Sequence, residues 1–234
     1  MQSTGRKVLV IDVGNTKIKG ALTENGREFK VVFSEKTKEF DLELLSEFSL
    51  CEVAVSSVVP EVSEEIVKRF PRALFVSSRL KLPLEVNYGG KIGADRISNI
   101  VGGLNYEDSF IVASFGTATV IDIVSERKFI GGYIFPGIKT MADSLNVSTA
   151  ELPNVKVVPS LNPGSSTEEC ISSGITISSV GALKLVQEKF GYPTVITGGF
   201  GKLMVNFVEG IYDRYLTFKG IYRIFEINRG EFPP

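Results

Sequence analysis

Three short segments of the sequence place glycine and polar side chains directly after an apolar run. They are Asp12–Thr16, Ser114–Thr117 and Thr197–Gly201. Glycine lets a backbone approach a ligand closely, and the N–H groups of such a turn form a concavity that binds anions. A carboxylate beside it can hold Mg²⁺ through water. We expect two phosphate-binding turns followed by an adenosine-binding turn. The alternatives are a plain hairpin for the first segment and an ordinary strand–helix connection for the third.

A fourth segment, Gly93–Arg96, adds a carboxylate and a guanidinium. Apolar residues follow it at helical spacing, namely Ile97, Ile100, Val101 and Leu104. This spacing predicts a helix with Asp95 in its first turn, where the helix dipole favours a negative charge. Such a carboxylate can accept a hydroxyl proton while Arg96 meets an anionic group. The alternative is an ordinary charged helix start with a surface arginine.

The elements around these segments form a pattern that occurs twice. An apolar strand, a glycine turn and a second strand open each half, and Gly14 and Gly116 occupy equivalent points. In the first half, the spacing predicts helices over 41–48 and 60–70. In the second half, it predicts helices over 136–145, 166–190 and 202–210. The repeat indicates an internal duplication, which divides the chain into an α/β domain over 1–106 and another over 107–234.

Composition excludes several classes of protein. The 234 residues are 43% hydrophobic, carry a formal net charge of -1 and include no histidine. The absence of histidine removes every histidine-based triad and metal site, and the charge gives no sign of a nucleic-acid partner. The cysteines Cys51 and Cys170 have no metal-ligand spacing. No signal peptide and no spanning apolar stretch is visible, so we expect a cytoplasmic protein without a membrane partner.

Taken together, the motifs resemble the type III pantothenate kinases, which catalyse the first committed step of coenzyme A synthesis. The resemblance covers nearly the whole chain. The segments that carry it are Ile11–Lys19, Ala54–Pro60, Gly93–Asn99, Phe115–Thr119, Gly131–Gly137, Thr149–Pro153, Thr167–Gly174 and Thr197–Gly199. The resemblance implies duplicated ribonuclease H-like (actin-like) domains, with mixed sheets flanked by helices and the nucleotide in the interdomain cleft.

The resemblance also implies roles for individual residues. Asp95 is expected to be the general base. The expected pantothenate pocket consists of Tyr88, Gly93, Ala94, Asp95, Arg96 and Thr167. The expected ATP site consists of Asp12, Val13, Gly14, Asn15, Thr16, Lys17, Ile18 and Lys19, with Gly116, Thr117, Gly198 and Gly199. Asp12 would lie near Mg²⁺. For Thr167 there is an alternative, because Ser166 and Glu169 have the spacing of a capping box that starts a helix.

One position departs from the family pattern. The family usually has aspartate where this chain has Ser114, and that aspartate ligates a monovalent cation, K⁺ or NH₄⁺. Because a neutral hydroxyl is a weaker cation ligand than a carboxylate, we expect a weakened or absent potassium requirement, or reduced activity.

The expected reaction is transfer of the ATP γ-phosphoryl group to pantothenate, giving 4'-phosphopantothenate, by a homodimer. Two other functions stay open. One is a non-catalytic relative that acts as a transcription accessory factor, which the change at Ser114 favours. The other is a different small-molecule kinase of the same superfamily, such as a sugar kinase, since a fold alone does not decide the substrate.

Overall fold

The computed structural model describes residues 7–231, which form two compact units of mixed α/β structure. The first unit comprises residues 7–106, 127–129 and 215–231, and the second comprises 107–126 and 130–214. The strands are β1 (Val8–Val13), β2 (Lys17–Thr23), β3 (Lys30–Lys36), β4 (Glu52–Ser57), β5 (Leu74–Phe75), β6 (Glu85–Val86), β7 (Phe110–Phe115), β8 (Ala118–Ser125), β9 (Lys128–Pro136), β10 (Thr194–Thr197) and β11 (Ile211–Tyr212). The α-helices are α1 (Pro60–Arg69), α2 (Ala94–Gly103), α3 (Ile138–Ser148), α4 (Thr167–Phe190), α5 (Gly201–Met204) and α6 (Leu216–Asn228).

The first unit is built on a five-stranded sheet in the order β3-β2-β1-β4-β5. Strand β1 runs antiparallel to β2 and parallel to β4, so that Asp12 is the register partner of both Lys19 and Ser56. Residues alternate between the two faces of a strand. Leu9 and Ile11 lie in a core with Leu45 on one face, and Asp12 therefore projects from the opposite face. Helices α2 and α6 contact β4 on that side.

Helices α2 and α6 pack unusually closely because glycine stands at their contact. A Cβ atom on Gly220 would lie 1.7 Å from the carbonyl oxygen of Ser98, and one on Gly102 would lie 2.4 Å from the carbonyl oxygen of Leu216. This packing places α6 in the first unit. The expected domain over 107–234 therefore needs a correction at its C-terminal end, since residues 215–231 return to the first unit. Sequence periodicity does not report which sheet a terminal helix covers.

The second unit repeats the opening of the first. Strands β7 and β8 are antiparallel, β10 runs parallel to β7, and the sheet has the strand order β11-β10-β7-β8-β9-β6. Helices α3 and α4 cover a core that includes Phe115, Ile138 and Leu183. The predicted duplication is confirmed at this level, because both units start with an antiparallel pair joined by a glycine turn.

Two predicted helices differ from the structure, and the long helix α4 has an unusual composition. Residues 42–48 form a 3₁₀ helix instead of an α-helix, capped by Asp41, whose side chain accepts from the Glu43 N–H. The predicted helix over 202–210 is only the short α5 followed by turns. Helix α4 is long and apolar enough to span a membrane by composition, the one such helix among residues 7–231. Its buried side chains pack into the second core, as in a core helix.

Candidate functional site

Asp12 is the penultimate residue of β1 and lies on the face of the sheet that α2 covers. Its side chain is half-buried, and the adjacent Ser56 on β4 is fully buried. Among residues 7–231, the hydroxyl of Ser56 is one of few buried side-chain oxygens without a hydrogen-bond partner. A carboxylate and an unpartnered hydroxyl therefore occupy neighbouring positions at the carboxyl ends of two parallel strands, where open α/β sheets bind ligands.

Electrostatics around Asp12 favour a partner of positive charge. Burial raises the pKa of Asp12 from 3.8 to about 6, Lys19 opposes this rise, and the negative charge of Asp95 adds to it. The two carboxyl groups are thus close enough to repel each other. A bound cation would relieve this repulsion and compensate for the lost solvation of Asp12.

The turn after Asp12 has its backbone fixed by three hydrogen bonds. The Gly14 N–H donates to the Lys17 carbonyl at 2.9 Å, and Thr37 donates through its hydroxyl to the Gly14 carbonyl at 2.6 Å. The Thr37 N–H donates to the Thr16 carbonyl at 3.1 Å. The side chains of Asn15, Thr16 and Lys17 remain exposed. The tip of the predicted phosphate turn is therefore both rigid and accessible.

Asp95 lies in the first turn of α2, as the spacing predicted. Its Oδ1 accepts a hydrogen bond from the Arg96 N–H at 2.9 Å. A Cβ atom on Gly93 would lie 2.5 Å from the same oxygen, so the carboxylate covers the Gly93 position. The N-cap residue Gly93 provides no side-chain cap. The Asp95 carboxylate thus satisfies a helix N-terminal donor itself, which sets its orientation.

Arg96 is almost fully buried, at 7% exposure, which is rare for an arginine. Its Nη1 donates to the hydroxyl of Tyr88 at 3.2 Å. The structure therefore brings Tyr88, the segment Gly93–Arg96 and Asp12 together within the first unit. The alternative interpretation of Arg96 as a surface residue is wrong, because the guanidinium is enclosed.

The second unit holds the turn at Gly116 and Thr117. The Gly116 N–H donates to the Ala118 carbonyl at 3.0 Å. The Thr117 carbonyl accepts from the Gly137 N–H at 2.9 Å and from the Thr140 hydroxyl at 2.6 Å. The start of α3 therefore supports this turn. The sequence did not indicate this supporting role for Gly137 or Thr140. The sequence carried no clear signal for this role, because Gly137 falls inside the helix predicted over 136–145, whereas it is the N-cap of the observed helix.

The glycines after β10 lie against the same turn. Gly198 has a φ of +91°, and a Cβ atom there would lie 2.5 Å from the Phe115 carbonyl oxygen. That carbonyl accepts a hydrogen bond from the Phe200 N–H at 3.1 Å. Gly199 is exposed beside it. The predicted second phosphate turn and adenosine turn are thus adjacent in the second unit.

Thr167 is the first residue of α4, and its surroundings are those of a helix cap. Ser166 accepts from the Glu169 N–H at 3.2 Å, and Glu169 accepts from the Ser165 N–H at 2.8 Å. The Ser165 donors lower the pKa of the Glu169 carboxyl. The structure confirms the capping interpretation of this segment and leaves the Thr167 side chain on an exposed helix start.

No group of three or more acidic or cysteine residues forms a metal centre within residues 7–231. Ser114 is the penultimate residue of β7, in register with Val120 and Thr197. Mg²⁺ is commonly held by one or two carboxylates together with substrate phosphates and water. Asp12, with its raised pKa, fits that arrangement and does not need a complete protein cage.

Comparison with known proteins decides the family. A family model for type III pantothenate kinase matches residues 8–189. The chain is also 35% identical over 242 residues to a type III pantothenate kinase from Thermosipho melanesiensis, covering 93% of this chain and 98% of the relative. This chain belongs to the type III pantothenate kinase family. The predicted resemblance is confirmed.

Solved structures show the same fold in more distant proteins. One, from Campylobacter jejuni, is described as a Baf family transcriptional activator, with TM-score 0.67, 22% identity and coverage of 95% of this chain and 99% of that one. Another, from Sinorhizobium meliloti, is described as a 2-dehydro-3-deoxygalactonokinase protein, with TM-score 0.58, 11% identity and coverage of 97% of this chain and 100% of that one. These likenesses confirm the actin-like and sugar-kinase fold.

Proposed function

We propose that this chain transfers the γ-phosphoryl group of ATP to the primary hydroxyl of pantothenate, giving 4'-phosphopantothenate for coenzyme A synthesis. The family match over residues 8–189 carries the proposal. The cluster of Asp12, Asp95 and Arg96 supports it, because phosphoryl transfer needs charge neutralisation and positioning more than covalent chemistry.

Asp95 is the general base in this proposal. Its carboxylate is oriented by the Arg96 N–H, and it accepts the proton of the pantothenate hydroxyl as the phosphoryl group departs from ADP. Gly93 and Ala94 form the adjoining backbone. Arg96 and Tyr88 receive the carboxylate of pantothenate, since a guanidinium forms strong charge-assisted hydrogen bonds with carboxylates. Thr167 is proposed as a further pantothenate contact.

The glycine turns of each unit, taken separately, supply the residues proposed for ATP binding. In the first unit these residues are Asp12, Val13, Gly14, Asn15, Thr16, Lys17, Ile18 and Lys19, and in the second they are Gly116, Thr117, Gly198 and Gly199. Asp12 would hold Mg²⁺ through water, and the ion would supply charge neutralisation at the phosphates. The rigid Gly14 turn presents exposed side chains and backbone donors to the phosphate oxygens.

Homodimer formation and a cytoplasmic location are also proposed. Helix α4 buries one face and exposes large apolar side chains on the other, with Ile177 at 56% and Leu185 at 67% exposure. Gly174 and Gly181 are exposed on the same helix, and a Cβ atom at either would meet nothing within 4 Å. A second copy of the chain would cover these side chains and remove apolar area from water.

A second candidate function is regulation of transcription. The Campylobacter jejuni neighbour is described in those terms, but its identity of 22% shows only a common fold. The serine at position 114 favours a loss of catalysis in this chain. A chain of this second type would bind DNA and would not consume ATP with pantothenate.

The deciding assay measures ADP release from ATP in the presence of pantothenate and, separately, in the presence of each of a set of sugars. We expect ADP release with pantothenate, and a fall of about 100- to 10,000-fold in kcat for Asp95→Asn with ATP binding retained. Asp41→Asn is the control, because asparagine caps a helix as well as aspartate does. Wild-type turnover by Asp95→Asn would reject the base, and ADP release only with sugars would reject the substrate.

A further inference from the structure

The guanidinium of Arg96 lies against two neighbouring aromatic rings, and only one of them belongs to the expected pocket. Its Cζ lies 5.2 Å from the centroid of the Tyr88 ring and 5.4 Å from the centroid of the Phe129 ring. The centroids of the two rings are 5.8 Å apart. Cations within about 6 Å of a ring centroid are attracted by the negative face of the ring. Both rings therefore interact with the same charge.

Phe129 reaches this position through strand pairing. Strand β6 pairs in parallel with the start of β9, so that Val86 is the register partner of Phe129. The Glu85 N–H anchors this pairing by donating to the Arg127 carbonyl at 2.8 Å. Residues 127–129 count with the first unit. A ring distant in sequence from Arg96 is thus held rigidly beside it, at 3% exposure.

An arginine held in this way has lost most of its freedom before any ligand arrives. A free arginine side chain samples many rotamers and loses that rotamer entropy on binding. Rigid presentation of a planar guanidinium reduces that loss and improves affinity for a carboxylate. Tyr88 contributes a ring and a hydroxyl contact, whereas Phe129 contributes only its ring, so its effect can be isolated.

We propose that Phe129 is a positioning residue for substrate binding, whose ring fixes the guanidinium of Arg96 so that it meets the carboxylate of the substrate. This inference rests on the proposed function, because it takes pantothenate as that substrate. It predicts a specific kinetic signature. Interactions made equally in the bound ground state and the transition state affect KM and leave kcat unchanged.

The test replaces the ring in two ways. Phe129→Leu keeps an apolar side chain without a ring, and incorporation of fluorinated phenylalanines at position 129 keeps the shape while weakening the negative ring face. We expect Phe129→Leu to raise KM for pantothenate about tenfold, with kcat within about twofold and KM for ATP unchanged. Successive fluorine atoms should raise KM for pantothenate in steps.

The matched control is Phe33→Leu, which removes a buried ring from the opposite core of the same unit. A second readout needs no substrate: the assigned Arg96 Nε–H signal in ¹⁵N-labelled protein should carry ring-current shifts that Phe129→Leu reduces. An unchanged KM in Phe129→Leu, equal effects in Phe33→Leu, or no response to fluorination would each overturn the proposal. Wild-type protein without pantothenate-dependent turnover would instead reject the proposed function, and the Arg96 signal would still test the ring contact.

Discussion

Replacing Asp12 with asparagine should make the ligand-free protein more stable at neutral pH but not at acid pH. The pKa of Asp12 is about 6 in the folded state, compared with the ordinary 3.8. The folded protein therefore binds more protons than the unfolded chain between about pH 4 and 6, so its stability falls as pH rises through that window. Two pKa units correspond to about 3 kcal/mol, which is the full penalty above about pH 7.

Urea unfolding followed by far-UV circular dichroism measures this effect, with EDTA present and nucleotide absent. The free energy of unfolding of Asp12→Asn should exceed that of the wild type by up to about 3 kcal/mol at pH 7.5. The difference should shrink towards pH 4, where wild-type Asp12 is neutral. Glu47→Gln provides the control, because it removes an exposed carboxylate.

Because the charge of Asp95 contributes to the raised pKa of Asp12, the stabilisation from Asp12→Asn should be smaller in an Asp95→Asn background. Parallel stability curves for wild type and Asp12→Asn between pH 4 and 7.5 would refute the argument. So would a variant that is less stable than the wild type only at neutral pH, since this would mean that the ionised carboxylate stabilises the fold.

Three further predictions concern other parts of the chain. Wild-type turnover should respond little to potassium chloride relative to choline chloride. Ser114→Asp should gain potassium activation, because a carboxylate is a stronger cation ligand than a hydroxyl. Strong activation of the wild type by millimolar potassium would contradict this prediction. Gly220→Ala should lose about 1–3 kcal/mol in urea unfolding, because its Cβ would meet the Ser98 carbonyl oxygen at 1.7 Å. Gly230→Ala, with open space around it, is the control and should differ little from wild type. Glu126 has a φ of +49° in the turn between β8 and β9. Because asparagine adopts positive φ more readily than glutamate, Glu126→Asn should raise the thermal midpoint of unfolding slightly. A lower midpoint would show that the glutamate side chain matters more than the backbone.

The local sequence pattern was sufficient to predict an element wherever a few neighbouring residues decide its structure. The helix that starts at Ala94 was predictable from the spacing of Ile97, Ile100 and Val101, and the cap at Ser166 from the glutamate three residues later. The hairpin turn at Asn25–Gly26 was predictable as well. Gly26 has a φ of +66°, and the Asn25 side chain accepts from the Arg27 N–H at 2.9 Å. In each case the interacting groups lie within one turn of chain.

Predictions failed where a short segment depended on distant packing. Residues 42–48 have apolar spacing that suits an α-helix, but they form a 3₁₀ helix with only Leu45 buried. The predicted helix over 202–210 stops at Met204, followed by turns. Periodicity reports which residues face a core, but it does not report how much core surface is available to a particular turn of helix.

The sequence by itself determined the glycine turns, the carboxylate at the end of the first strand, the acidic start of α2 and the family to which the chain belongs. These features depend on residue type and short spacing. Only the tertiary structure decided the raised pKa of Asp12, the return of α6 to the first unit and the contact of Arg96 with the Phe129 ring. The physical reason is that burial, charge repulsion and ring contacts depend on distances between residues far apart in the chain, and those distances exist only after the sheets and helices have packed.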